Sequence, residues 1–167
     1  MMKYYVALLS LFCSTAWGEI SMPHDFPSGA KGILSVEKMT EGQFFWLRGR
    51  VGEGRYTRFD EFGRHCSYQI PVVAGAMADA GFSVNTVSGM FVIVMSQRLN
   101  DALLAGERIS SAHWRFVVLP NELSSSEQVM DGYIVEGVLP DEHFILNSKR
   151  RWISWLAGDK RSETCWQ

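Results

Sequence analysis

Cysteine is scarce in this chain, with only Cys13, Cys66 and Cys165 in 167 residues. That excludes a disulfide-dense scaffold, and the absence of C-x-x-C excludes the usual zinc and thioredoxin-type spacings. No apolar run approaches the about 20 residues that a bilayer-crossing helix needs, so no transmembrane segment is expected. Positive charge is not in surplus either. Sixteen Lys and Arg stand against eighteen Asp and Glu, a balance unlike that of a nucleic-acid-binding domain, and no nucleic acid is expected as a partner. G-x-S-x-G, H-E-x-x-H and the phosphate-binding glycine loop are also missing; the closest serine, in "TVSGM", lacks the first glycine. Internal repeats, low-complexity tracts and linkers are absent.

What is present begins with an address. "MMKYYVALLSLFCSTAWGEI" has Lys3, an apolar stretch from Tyr4 to Phe12, and small residues at Ala16 and Gly18 before Glu19. This is the order of a secretory signal peptide, cleaved between Gly18 and Glu19. Lipidation at Cys13 is the rival reading, but Phe12 is too large for the position before a lipoprotein cysteine. The expectation is one globular domain over 19–167, periplasmic or extracellular. Losing Lys3 makes its net charge one unit more negative than the −2 of the whole chain. Cleavage also removes Cys13, so Cys66 and Cys165 are expected to pair in an oxidising compartment. Closing a loop of about 100 residues stabilises by at most roughly 4 to 5 kcal/mol in the chain-entropy picture.

Along the chain, period-2 patterns dominate. "GQFFWLRGRV" (42–51) and "RYTRF" (55–59) read as hairpin arms around the turn signal "GEG" (52–54). "HCSYQI" reads as a third strand ending at Pro71. The alanine-rich "VVAGAMADAGF" (72–82) suggests a short helix stopped by Gly81. "GMFVIVMS" is an apolar strand, and "SQRLNDALLAGE" a helix with Ser96 as N-cap, Leu99, Leu103 and Leu104 on one stripe and Gly106 as stop. "HWRFVVL", "YIVEGVL" and "HFILN" are further strands. "SKRRWISWLAGDK" is ambiguous and leans to a strand, because Lys149, Arg150 and Arg151 would crowd the positive end of a helix. The fold class expected is α+β: a mainly antiparallel sheet, of which a small OB-like barrel is one closure, with two short helices.

Chemistry is thinly signalled. His65 beside Cys66 would point to the opposite face of a strand, so the two cannot share a proton. "PHDF" and "PDEHF" put His24, Asp25, Asp141 and His143 near prolines, donor types that suit a metal only if the two loops meet. No metal and no cofactor are expected. The more informative pattern is arginine among aromatics. On a strand Phe44, Trp46, Arg48 and Arg50 share a face, and the returning arm adds Arg55 or Arg58. Arg151, Trp152 and Trp155 form a second such cluster. Trp and Arg supply large contact area with directional polar ends, as at protein-interface hot spots. An anionic polymer or glycan would also suit them.

Two function classes follow. The first is an exported, disulfide-stapled binding module that docks a protein partner, as an inhibitor, an immunity-type protein or an accessory subunit of an envelope or secretion assembly. The second is a secreted hydrolase or metal-dependent enzyme whose site is assembled from His24, His65, His113, His143, Asp141 and Glu142.

Overall fold

The computed structural model describes residues 28–60, 62, 64–119, 130–148 and 163–166. Two very long strands dominate it, β1 (Gly32–Phe59) and β2 (His65–Val94), antiparallel along their whole length. They are followed by α1 (Gln97–Ala105) and five short strands: β3 (Ile109–Ser110), β4 (Phe116–Val118), β5 (Gly132–Glu136), β6 (His143–Leu146) and β7 (Thr164–Trp166). The chain is mostly β, as its period-2 patterning implies.

β1 and β2 fold back on themselves, and that curl makes the core. Alternate residues Leu34 and Val36 from the first half of β1 meet Gly52, Gly54 and Tyr56 from its second half. A Cβ on Gly52 would sit 2.9 Å from the Met39 side chain, and one on Gly54 2.8 Å from that of Leu34. Glycine is therefore what lets the two layers approach. Ile70, Val72 and Ala74 line the same interior from one half of β2, and Met90, Val92 and Val94 from the other. Along its other edge β2 pairs β7 at 65–67, β6 at 72–75 and β5 at 91–94. β4 adds a parallel pair, on β5. The result is a curled half-barrel; among the described residues β1 pairs with β2 alone, so no ladder closes an OB-type barrel.

Three expectations are corrected here. Residues 72–81 belong to β2, so α1 is the one helix among the described residues. Alanine's helix preference is worth a few tenths of a kcal/mol per residue. Against it stand ladders on both edges at 72–75 and burial of Val72 and Ala74. Next, "GEG" is not a turn: Gly52 and Gly54 lie within β1, and the chain reverses at 60–64. There the Asp60 carboxylate accepts hydrogen bonds from the Phe62 and Arg64 backbone N–H groups and from Arg64 Nε, at 2.7 to 2.9 Å, a side-chain-built turn. Third, β2 runs through Pro71 rather than ending there. The Pro71 carbonyl accepts from the Ser148 N–H at 3.2 Å, so the strand stays tied down despite the missing donor.

α1 follows its sequence signals closely. The Ser96 hydroxyl accepts from the Leu99 N–H at 3.1 Å, and Gly106 ends the helix at φ 73°. Leu99 and Leu103 are buried, with Leu104 packed at the margin. Asn100 is buried too, and its Oδ1 accepts from the Tyr56 hydroxyl at 2.7 Å, tying α1 to β1. Burial pushes the Tyr56 phenol well above its usual range, the nearby Arg58 guanidinium opposing the shift. Asp131 is the second tie. Its carboxylate accepts from Ser96 Oγ, Arg98 and the Arg115 N–H at 2.8 to 3.0 Å. Burial raises its pKa, but the donors, led by the Arg115 N–H, outweigh that and hold it below the usual carboxylate value.

Candidate functional site: an aromatic elbow

Between the two packed halves of the hairpin lies a stretch that, among the described residues, has no core beneath it. Over 41–48 and 76–85 the two strands pair only with each other among those residues, and their large apolar side chains are exposed. Phe44, Phe45, Trp46, Leu47, Met77, Phe82 and Val84 are each more than half exposed, Phe82 at 79%. Scattered exposed apolar residues are ordinary, but a contiguous group of seven is not.

The local backbone is what makes them contiguous. The β1–β2 register shifts between Phe45 and Leu47: Phe45 pairs with Gly81 and Leu47 with Met77, so Trp46 faces an excess of β2 residues. Phe45 takes φ 55°, a left-handed conformation that a bulky side chain seldom adopts. In a regular strand the rings of Phe44 and Phe45 would point to opposite faces. Here their centroids are 4.5 Å apart, edge to face. Phe44 also meets Phe82 across the ladder at 6.3 Å, and Phe45 meets Trp46 at 5.7 Å. The bulge thus gathers four rings into one exposed cluster. The Gln43 amide fastens it by donating to the Asp79 carbonyl.

The arginines of the expected surface are dispersed. Arg48 sits beside the elbow with its Nε buried and without a hydrogen-bond partner among the described residues. Arg50 is not on that surface at all. It is buried, with Nε donating to Glu142 Oε1 at 2.8 Å, Nη2 to the other carboxylate oxygen, and Nη2 also to the Gly137 carbonyl at 2.7 Å. Arg50 shares the even-numbered face of Gly54 and Tyr56, which line the interior of the packed half of β1, whereas Phe44 and Trp46, of the same parity, lie in the exposed stretch. Arg58 donates to the Tyr68 hydroxyl at 3.2 Å and lies 3.8 Å from Glu163. The Tyr68 hydrogen bond raises the guanidinium's affinity for its proton, and burial opposes it. Arg55 is exposed and lines a separate groove of about 1000 Å³ along the free edge of β1, with Glu37, Lys38, Glu53, His65 and Trp166. Arg151, Trp152 and Trp155 lie outside the described residues, as do His24 and Asp25.

Among the described residues the dispersed histidines do not converge. His113 and His143 are exposed, and His65 stacks on Trp166 with centroids 6.0 Å apart. Glu142 is taken up by Arg50. Among the described residues the one group of three potential metal ligands is Cys66, Glu163 and Cys165. Its two sulfurs are bonded to each other across a β2–β7 pair, with the Cα atoms 4.0 Å apart. Phe82, Met77 and Val84 are not in the arginine–aromatic pattern; Met77 and Phe82 sit in the segment read as a helix, where their cross-strand relation to Leu47 and Phe44 has no meaning, and Val84 lies just beyond it.

No protein-family model, curated protein or solved structure matches the chain. No helix among the described residues is long and apolar enough to cross a membrane, which leaves strand-built spans unaddressed.

Proposed function

We propose that this is an exported binding module that docks a protein partner through the aromatic elbow, as an inhibitor, an immunity-type protein or an accessory subunit of an envelope or secretion assembly. One observation carries the reading: a bulky residue, Phe45, is held at φ 55° in a place where doing so fuses four exposed rings into a single patch. A left-handed non-glycine residue costs of order 1 to 3 kcal/mol, and such strain concentrates at functional sites. Aromatic anchors that cluster are also what protein interfaces use. Export is supported by the Cys66–Cys165 bond, a linkage typical of oxidising compartments.

A polyanion or glycan ligand has less in its favour. Arg50, Arg58 and Arg64 each have an acidic neighbour within ion-pair distance, in Glu142, Glu163 and Asp60, so the arginines between 44 and 66 do not present one cationic face. The test is a Trp46→Ser/Phe82→Ser double variant expressed in the native host. Loss of the co-purifying partner with an unchanged thermal midpoint is expected, since neither side chain packs on the core. An unchanged complex would remove the elbow from the function.

A further inference from the structure

We propose that the elbow's partner is a second copy of this chain, joined through the free edge of β1 about a twofold axis between Phe44 and Phe45. The inference rests on the docking reading above and names its occupant. Residues 41–48 read "EGQFFWLR", and this octet is complementary to itself when run antiparallel. A twofold axis at its centre sets Phe44 against Phe45, Gln43 against Trp46, and Glu41 against Arg48 of the second copy. The charged pair is thereby made twice, once at each end, as an isologous interface requires. Within one chain neither of these charges has an ion-pair partner among the described residues.

Area agrees with a second copy. At about 150–250 Å² for a fully exposed aromatic and somewhat less for Leu, Met and Val, the fractional exposures at the elbow leave on the order of 800 Å² of apolar surface uncovered. A standard interface takes about 800 Å² from each partner, whereas the largest patch on an ordinary monomer is about 300–600 Å². The edge itself is available, because β1 pairs only with β2 among the described residues. An anionic membrane fits less well, since Glu41 and Asp79 border the patch as well as Arg48.

Sedimentation velocity on the full chain, oxidised, decides the matter, with Glu41→Arg, Arg48→Glu and the double swap E41R/R48E as variants and far-ultraviolet circular dichroism confirming that each folds. The expected result is a wild-type dimer, at least tenfold weaker dimerisation in either single variant through like-charge apposition, and recovery in the double swap. A wild-type chain that stays monomeric up to about 100 µM overturns the proposal. So does a dimer indifferent to both single changes. A monomer that pellets with phosphatidylcholine vesicles overturns it in favour of a lipid surface. A monomer that still loses its partner on W46S/F82S overturns the second copy alone and leaves the docking reading standing. A monomer indifferent to W46S/F82S overturns both.

Discussion

Replacing Arg50 by Met should be among the most damaging single changes in the molecule. Arg50 is 7% exposed, and the Glu142 side chain opposite it is fully buried. Taking the guanidinium away leaves that carboxylate with the Leu139 N–H at 3.2 Å and strips the Gly137 carbonyl of its donor at 2.7 Å. Breaking a buried pair from one side costs about 3 to 5 kcal/mol, because the surviving charge is uncompensated. The orphaned carbonyl adds roughly 1 kcal/mol. Set against a total stability of about 5 to 15 kcal/mol for a domain, the loss should lower the thermal midpoint by roughly 8 to 24 °C at about 2 to 4 °C per kcal/mol. Urea unfolding followed by tryptophan fluorescence measures it directly. The double variant Arg50→Met/Glu142→Leu should recover most of the loss, since neither charge then remains buried alone. If Arg50→Met alone costs less than about 1 kcal/mol, the value of an exposed ion pair, Arg50 does not occupy the interior and the inward phase of β1 after the bulge is wrong.

Three further outcomes are expected. Reducing Cys66–Cys165, or changing Cys165 to Ser, opens a link spanning 99 positions; it should cost about 2 to 5 kcal/mol, read as the difference between melts with and without a dithiol. Asp131 holds its proton less tightly folded than unfolded. Its contribution is therefore present above the unfolded carboxylate pKa of about 4 and lost as pH falls through the lower folded value; urea midpoints from pH 6 to pH 2 should fall more steeply for wild type than for Asp131→Asn. Phe45→Gly removes the left-handed strain at the bulge but frees the unfolded chain, so the melting temperature should hold or rise slightly while partner binding drops, a separation that a purely structural role for Phe45 does not produce.

How much of this was legible in the sequence differs by element. α1 was readable because its signals are local: a serine hydroxyl over the third N–H, leucines on one stripe and a glycine stop. The strands at 132–136 and 143–146 were readable for the same reason. The long hairpin was not, because its decisive facts are cross-strand. Gly52 and Gly54 carry the same letters whether they turn the chain or let Leu34 and Val36 pack onto it. Ala74, Ala76 and Ala78 favour a helix by composition, and only the ladders, on both edges of Ala74 and on one of Ala76, decide for strand. The partner of Arg50 lies 92 residues away, and nothing near Arg50 announces it. Alternation sets Trp46 on one face with Phe44, Arg48 and Arg50, of which Arg50 is buried, and Phe82 and Met77 join Trp46 only once the register of β2 is known.

Amide hydrogen exchange of 41–48 and 76–85, followed in the full chain from dilute to concentrated solution, tests the docking role of the elbow most directly. Two strands with no layer beneath them among the described residues should exchange within seconds in the free protein. The account predicts that these amides alone slow markedly as concentration rises, while those of the packed halves at 32–36 and 90–94 stay protected throughout. Exchange at the elbow that remains fast at every concentration, and in the presence of the host's envelope proteins, would contradict it.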